Sequence, residues 1–159
     1  MVTSAKPSLC TRNEYVVISA RVYLDNDTTK NGRSWIVSLC ADRAEEPITQ
    51  LAYRFGRDGT ADITVFANST NKFSIFDEDD GPHSGTEIIW FQRNNYRYYM
   101  TRATGQGIGV DVFVFHGSAQ VGHFTTGFDD SQILSKIEIS FDRVKSPVVQ
   151  IRRPLNSLN

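Results

Sequence analysis

A chain of 159 residues, 40% hydrophobic and 22% charged, has the size of one domain and enough apolar content to build a core, which excludes a disordered polypeptide. Its formal net charge of −1 gives no bulk attraction to nucleic acid or to an anionic membrane surface. No apolar run approaches the roughly eighteen residues that a membrane-spanning helix needs.

The N-terminal stretch MVTSAKPSLC lacks the apolar core of a signal peptide, so the protein is either cytosolic or exported with its signal removed. Residues 1–9 are expected to be flexible. The first predicted strand, Glu14 to Tyr23, is rich in β-branched and aromatic residues. A polar stretch from Asp25 to Arg33 includes the turn pair Asn31-Gly32, and the second strand runs from Ser34 to Ala41. An acidic loop with Asp42, Glu45, Glu46 and Pro47 leads to Ile48–Gly56, and Asp58-Gly59 then turns the chain into Ala61–Phe66.

The second half continues in the same way. Lys72–Phe76 is a short strand, followed by the expected loop Asp77–Gly85. Thr86–Arg93 and Tyr96–Arg102 flank Asn94-Asn95, and asparagine tolerates the positive φ that a two-residue hairpin demands. After a glycine-rich link, Val110–His116, Gln120–Thr125, Lys136–Phe141 and Val148–Arg152 complete the strands, with 153–159 a flexible tail. Only Asp130–Lys136 is expected to hold a helical turn or two. The fold expected is a single all-β domain over 1–159, an antiparallel sandwich or partly closed barrel of about ten short strands with minimal helix.

Cys10 and Cys40 are the two cysteines. A pair in a small secreted domain usually bridges, whereas cytosolic thiols stay reduced. A Cys10–Cys40 disulfide and an oxidising compartment are therefore expected, two buried free thiols being the alternative. Cys10 with Glu14 and Val16-Val17, then Ser38-Leu39-Cys40-Ala41, Tyr53-Arg54-Phe55-Gly56 and the hairpin Phe91–Tyr99, resemble a largely uncharacterised family of small exported β-rich proteins of Gram-negative bacteria. The resemblance implies a signal peptide, a periplasmic location and a disulfide, but no catalytic residues. By analogy of size and compartment, it points to inhibitors of cell-wall enzymes and to immunity partners of secreted toxins.

Two constellations are candidates for partner contact. Asp77, Glu78, Asp79 and Asp80 form an acidic run near His83, suited by charge to the cleft of a basic enzyme. A calcium loop is the lesser reading of this run: an EF-hand register puts Phe76 at the first ligand position, which needs an oxygen. The second constellation is the hairpin face with Trp90, Arg97 and Tyr99, whose residue types suit an interface hot spot or a sugar-binding surface. Burial of that face under a second sheet is the competing expectation. His116 and His123 share a face only if the turn between them has two residues at Ser118-Ala119, and no third zinc ligand is evident. No metal, cofactor, catalytic residue or nucleic-acid partner is assigned. The expected function is neutralisation of a toxin or cell-wall hydrolase by steric occlusion, with a carbohydrate- or envelope-binding module as the alternative.

Overall fold

The computed structural model describes residues 7–25, 33–82, 84–105, 109–127, 130–137 and 147–158. These residues form β1 (Tyr15–Leu24), β2 (Ser34–Ala41), β3 (Leu51–Arg57), β4 (Thr60–Ala67), β5 (Phe73–Gly81), β6 (Ser84–Arg93), β7 (Tyr96–Gly105), β8 (Val110–His116), β9 (Ala119–Thr125), β10 (Ile133–Leu134) and β11 (Val149–Ile151). No helix occurs among them, and none is long and apolar enough to cross a membrane. The all-β expectation holds.

The strands make one sheet in the order β11-β5-β6-β7-β8-β9-β1-β2-β3-β4, with β10 beside β1. Every pairing is antiparallel except that of β11 with β5, so the sheet is mixed, and β4 and β11 remain as edges. The sheet folds over on itself without closing. Tyr53 on β3 meets Phe91 on β6 with ring centroids 5.0 Å apart, and Phe55 on β3 meets Phe124 on β9 at 5.0 Å. Alternation along the strands turns Val37, Leu39, Leu51, Ile75, Ile89, Phe91, Met100 and Val112 into the space between, which forms the main core.

The corner between the two halves is thinly paired. β9 meets β1 only at Tyr23–Thr125 and Leu24–Phe124, after which β10 takes over at Ser19–Leu134 and Ala20–Ile133. This corrects the expected helical turn at Asp130–Lys136. Seven residues are too few to form a stable helix alone, and the open edge of β1 offers the segment immediate partners. Arg21 N donates to Gln132 O at 3.2 Å, Ser135 Oγ to Val17 O at 2.8 Å, and Ile137 N to Val16 O at 3.1 Å. Lys136 and Ile137 are consequently not in a strand, and the rest of the predicted strand to Phe141 lies outside the described residues, as does the Asn31-Gly32 turn.

Described residues near both ends of the chain, 7–10 and 152–158, are fastened across outer faces. Cys10 and Cys40 form the expected disulfide, with Cα atoms 5.6 Å apart. Beside it, Leu9 N donates to Ser38 Oγ at 2.9 Å, Ser38 and Ser19 hydroxyls lie 2.6 Å apart, and Ser19 Oγ donates to Pro7 O at 2.8 Å. Ser19 and Ser38 are fully buried, and this chain of bonds satisfies hydroxyls that would otherwise be costly to bury. Residues 7–9 are thus joined to β1 and β2 by these bonds. Residues 153–158 are held too, as described below.

Candidate functional site

The acidic run lies on a hairpin rather than in an open loop. β5 continues to Gly81 and pairs with β6 through Asp77–Glu87, Glu78–Thr86 and Asp79–Gly85. Strand alternation explains why the carboxylates tolerate one another, since Asp77 and Asp79 project to one face and Glu78 to the other. Gly81, with φ of 139°, supplies the backbone geometry for the tip. Asp79 Oδ1 accepts a hydrogen bond from Gly81 N at 3.0 Å and helps fix the turn. His83 and the Asp80 side chain lie outside the described residues.

The environment of these carboxylates is asymmetric. Glu87 lies opposite Asp77 on one side and Arg102 on the other, and Arg102 Nε donates to Glu87 Oε1 at 3.0 Å. That cation offsets the repulsion expected between carboxylates placed directly across a strand pair. Asp77, Glu78 and Asp79 are exposed and, among the described residues, have no ion-pair partner. Around them the hairpin end frames an open concavity of about 710 Å³ that also involves Pro82, Ser84 and Thr104.

The aromatic hairpin has the expected register and a different fate. Asn94 takes a φ of 57°, Trp90 pairs with Tyr99 and Phe91 with Tyr98. Trp90 and Tyr99 are nevertheless only 1% and 0% exposed, because they belong to a second cluster with Ile88, Phe113 and Phe115. The cover is a C-terminal strap, not another sheet. Trp90 Nε1 donates to Arg152 O at 3.0 Å, while the guanidinium of Arg152 lies over the indole at 4.9 Å. Tyr99 Oη donates to Asn156 Oδ1 at 2.8 Å and accepts from Leu155 N and Asn156 N at 3.2 Å each. Arg97 also reaches Asn156 Oδ1, at 3.3 Å, and Leu158 packs against the cluster. The predicted contact face of Trp90, Arg97 and Tyr99 is therefore occupied by the chain itself.

The histidines separate. The turn sits at Gly117-Ser118 with His116 opposite Ala119, and a bulge follows between Val114 and Phe115. His123 pairs with Phe113, and the odd offset from Phe113 to His116 sends the two histidines to opposite faces. His123 stacks on Phe113 and lies between Asp111 Oδ1, at 3.0 Å, and Asp25 Oδ2, at 3.4 Å. It ties β9 to the ends of β1 and β8. The one grouping of three metal-ligand side chains among the described residues is Cys10, Glu14 and Cys40, and its two sulfurs are joined to each other.

Sequence reasoning missed a cavity inside the fold. Tyr53, Phe55, Ile63, Tyr98, Val112, Val114, Gly122 and Phe124 line a space of about 260 Å³ between the layers, with Tyr96 and Val121 at its rim. Tyr53 Oη is buried with no hydrogen-bond partner, the one such side-chain atom found among the described residues. Burial, and then the nearby Tyr98, hold its ionisation well above the usual phenol range. No strand-by-strand pattern signals the cavity, because it arises from where two halves of the sheet fail to meet. Comparison with known proteins supplies no precedent, as no family, characterised protein or solved structure matches the chain.

Proposed function

We propose that this chain is a periplasmic binding protein that neutralises a cationic partner enzyme by steric occlusion, as an immunity protein does for a secreted toxin or an inhibitor for a cell-wall hydrolase. The observation that carries the reading is the set of exposed carboxylates Asp77, Glu78 and Asp79, without an ion-pair partner among the described residues, on a hairpin paired to β6 from Ser74 to Asp79. A rigid element presenting uncompensated charge accelerates encounter with an opposite surface and selects among partners. It also loses little conformational freedom on docking. The Cys10–Cys40 disulfide supports an oxidising compartment. The strap over Trp90 and Tyr99 covers the aromatic face that a glycan-binding role was expected to use.

The test is capture from the native cell envelope with the purified chain as bait, followed by mass spectrometry and an activity assay of what is captured. A stoichiometric basic enzyme, inhibited by the wild type and released by the triple variant D77K/E78K/D79K, supports the proposal. Absence of a stoichiometric partner, or capture indifferent to the charge reversal, overturns it.

A further inference from the structure

The space between the layers has the construction of a ligand site, independently of the acidic hairpin. Phe55, Ile63, Tyr98, Val114 and Phe124 face the core yet are only half-buried, because β4 and its neighbour β3 stand away from β7, β8 and β9 at this end. The result is an entry framed by Tyr96, 40% exposed, and Val121, 58% exposed. Gly122 keeps the wall clear, since a Cβ there would stand 3.3 Å from the Phe124 ring and 3.6 Å from Val114 Cβ. At about 260 Å³ the space exceeds the ~150 Å³ apolar cavity that accommodates a benzene molecule.

We infer that this cavity binds a small, mostly apolar ring compound carrying one hydrogen-bond acceptor, to which Tyr53 Oη donates a hydrogen bond. The walls are aromatic and aliphatic, which selects an apolar body. A buried hydroxyl without a partner is destabilising, so it favours any ligand that brings an acceptor to it. Solvent does not reach Oη, so binding requires the Tyr98 ring to turn aside and open it to the acceptor. That ring is half-buried, on the same wall, and its centroid is 6.3 Å from that of Tyr53. Burial keeps Tyr53 a neutral donor across the physiological pH range, so a neutral acceptor such as a carbonyl or ether is the matching chemistry.

The experiment uses two probes of like shape, 2-acetylnaphthalene with a carbonyl and 2-isopropenylnaphthalene without one, titrated into the full-length oxidised protein by calorimetry and amide NMR. The proposal expects one-to-one binding of both, with shifts centred on Ile63, Val114, Val121 and Gly122. Tyr53→Phe should weaken the ketone about tenfold and leave the hydrocarbon unchanged, the discrimination of one buried hydrogen bond. Val121→Trp, at an exposed rim position, should abolish binding of both while the circular dichroism spectrum stays that of the wild type. No binding up to the solubility limit, shifts centred elsewhere, or a ketone affinity indifferent to Tyr53→Phe would overturn it. Loss of the partner enzyme in the capture experiment leaves this test untouched, because none of its residues lies on the acidic hairpin.

Discussion

Glu14 shows how one side chain settles a junction. Its Oε2 accepts from Arg54 Nη2 at 2.8 Å, and its Oε1 accepts from Thr11 N at 2.8 Å, tying the segment before β1 to β3. Burial pushes its carboxyl pKa up, but the hydrogen bonds from Arg54 and Thr11 and the charge of Arg54 outweigh this and hold it below the ordinary 4.5. A depressed folded-state pKa gives stability that is present above 4.5 and is lost as the pH falls through the lower folded value. Asp42 acts in the same sense: burial raises its pKa, but hydrogen bonds from Thr49 and Gln50 outweigh this and hold it below its ordinary value. Glu14→Gln should cost about 1–2 kcal/mol near neutral pH and flatten the acid side of the stability profile, read by urea unfolding at several pH values. A variant whose profile keeps the full wild-type acid slope would show that Glu14 contributes none of it.

At the scale of elements, the strap is the feature that decides which surfaces are free. Asn156 accepts the Tyr99 hydroxyl and donates from Nδ2 to Gly117 O at 3.1 Å, so it fastens the strap to both β7 and the β8–β9 turn. Asn156→Ala leaves a buried tyrosine hydroxyl short of its acceptor. The expected loss is about 1–3 kcal/mol, together with a red shift of tryptophan fluorescence if Trp90 is uncovered. Unaltered unfolding and emission would mean that the strap is held by its other contacts. Most strands were legible because alternation and turn chemistry agree locally, as in SWIVSLCA and in FQRNNYRYY, whose register followed from Asn94-Asn95 alone. The strap was not legible, since Arg152 to Leu158 carry little hydrophobic pattern and act through backbone groups, guanidinium contacts and the Asn156 amide, with Leu158 the one apolar residue packed on the cluster. The acidic hairpin was misplaced as a loop for a related reason: charge composition argues against a strand, whereas cross-strand pairing and alternation overrule it.

For the whole molecule, the unclosed sheet has three consequences that depend on one another. It leaves a cavity between the layers, it leaves outer faces that residues 7–10 and 152–158 cover, and it lets the β5–β6 hairpin extend beyond the core. The disulfide fastens the N-terminal cover, and closing a separation of 30 residues should contribute about 3–4 kcal/mol by restricting the unfolded chain. Cys10→Ser combined with Cys40→Ser should therefore lower the unfolding free energy by that amount in urea titration. An unchanged midpoint would mean that the serine network alone secures the segment.

The reading of the molecule as a charged hairpin presented by a rigid scaffold is most directly measured by hydrogen exchange of the captured complex against the free chain. Added protection confined to residues 77–87 and their pairing partners on β7 is the expected result. Protection that leaves this hairpin unchanged and falls on the strap or on β4 would contradict it.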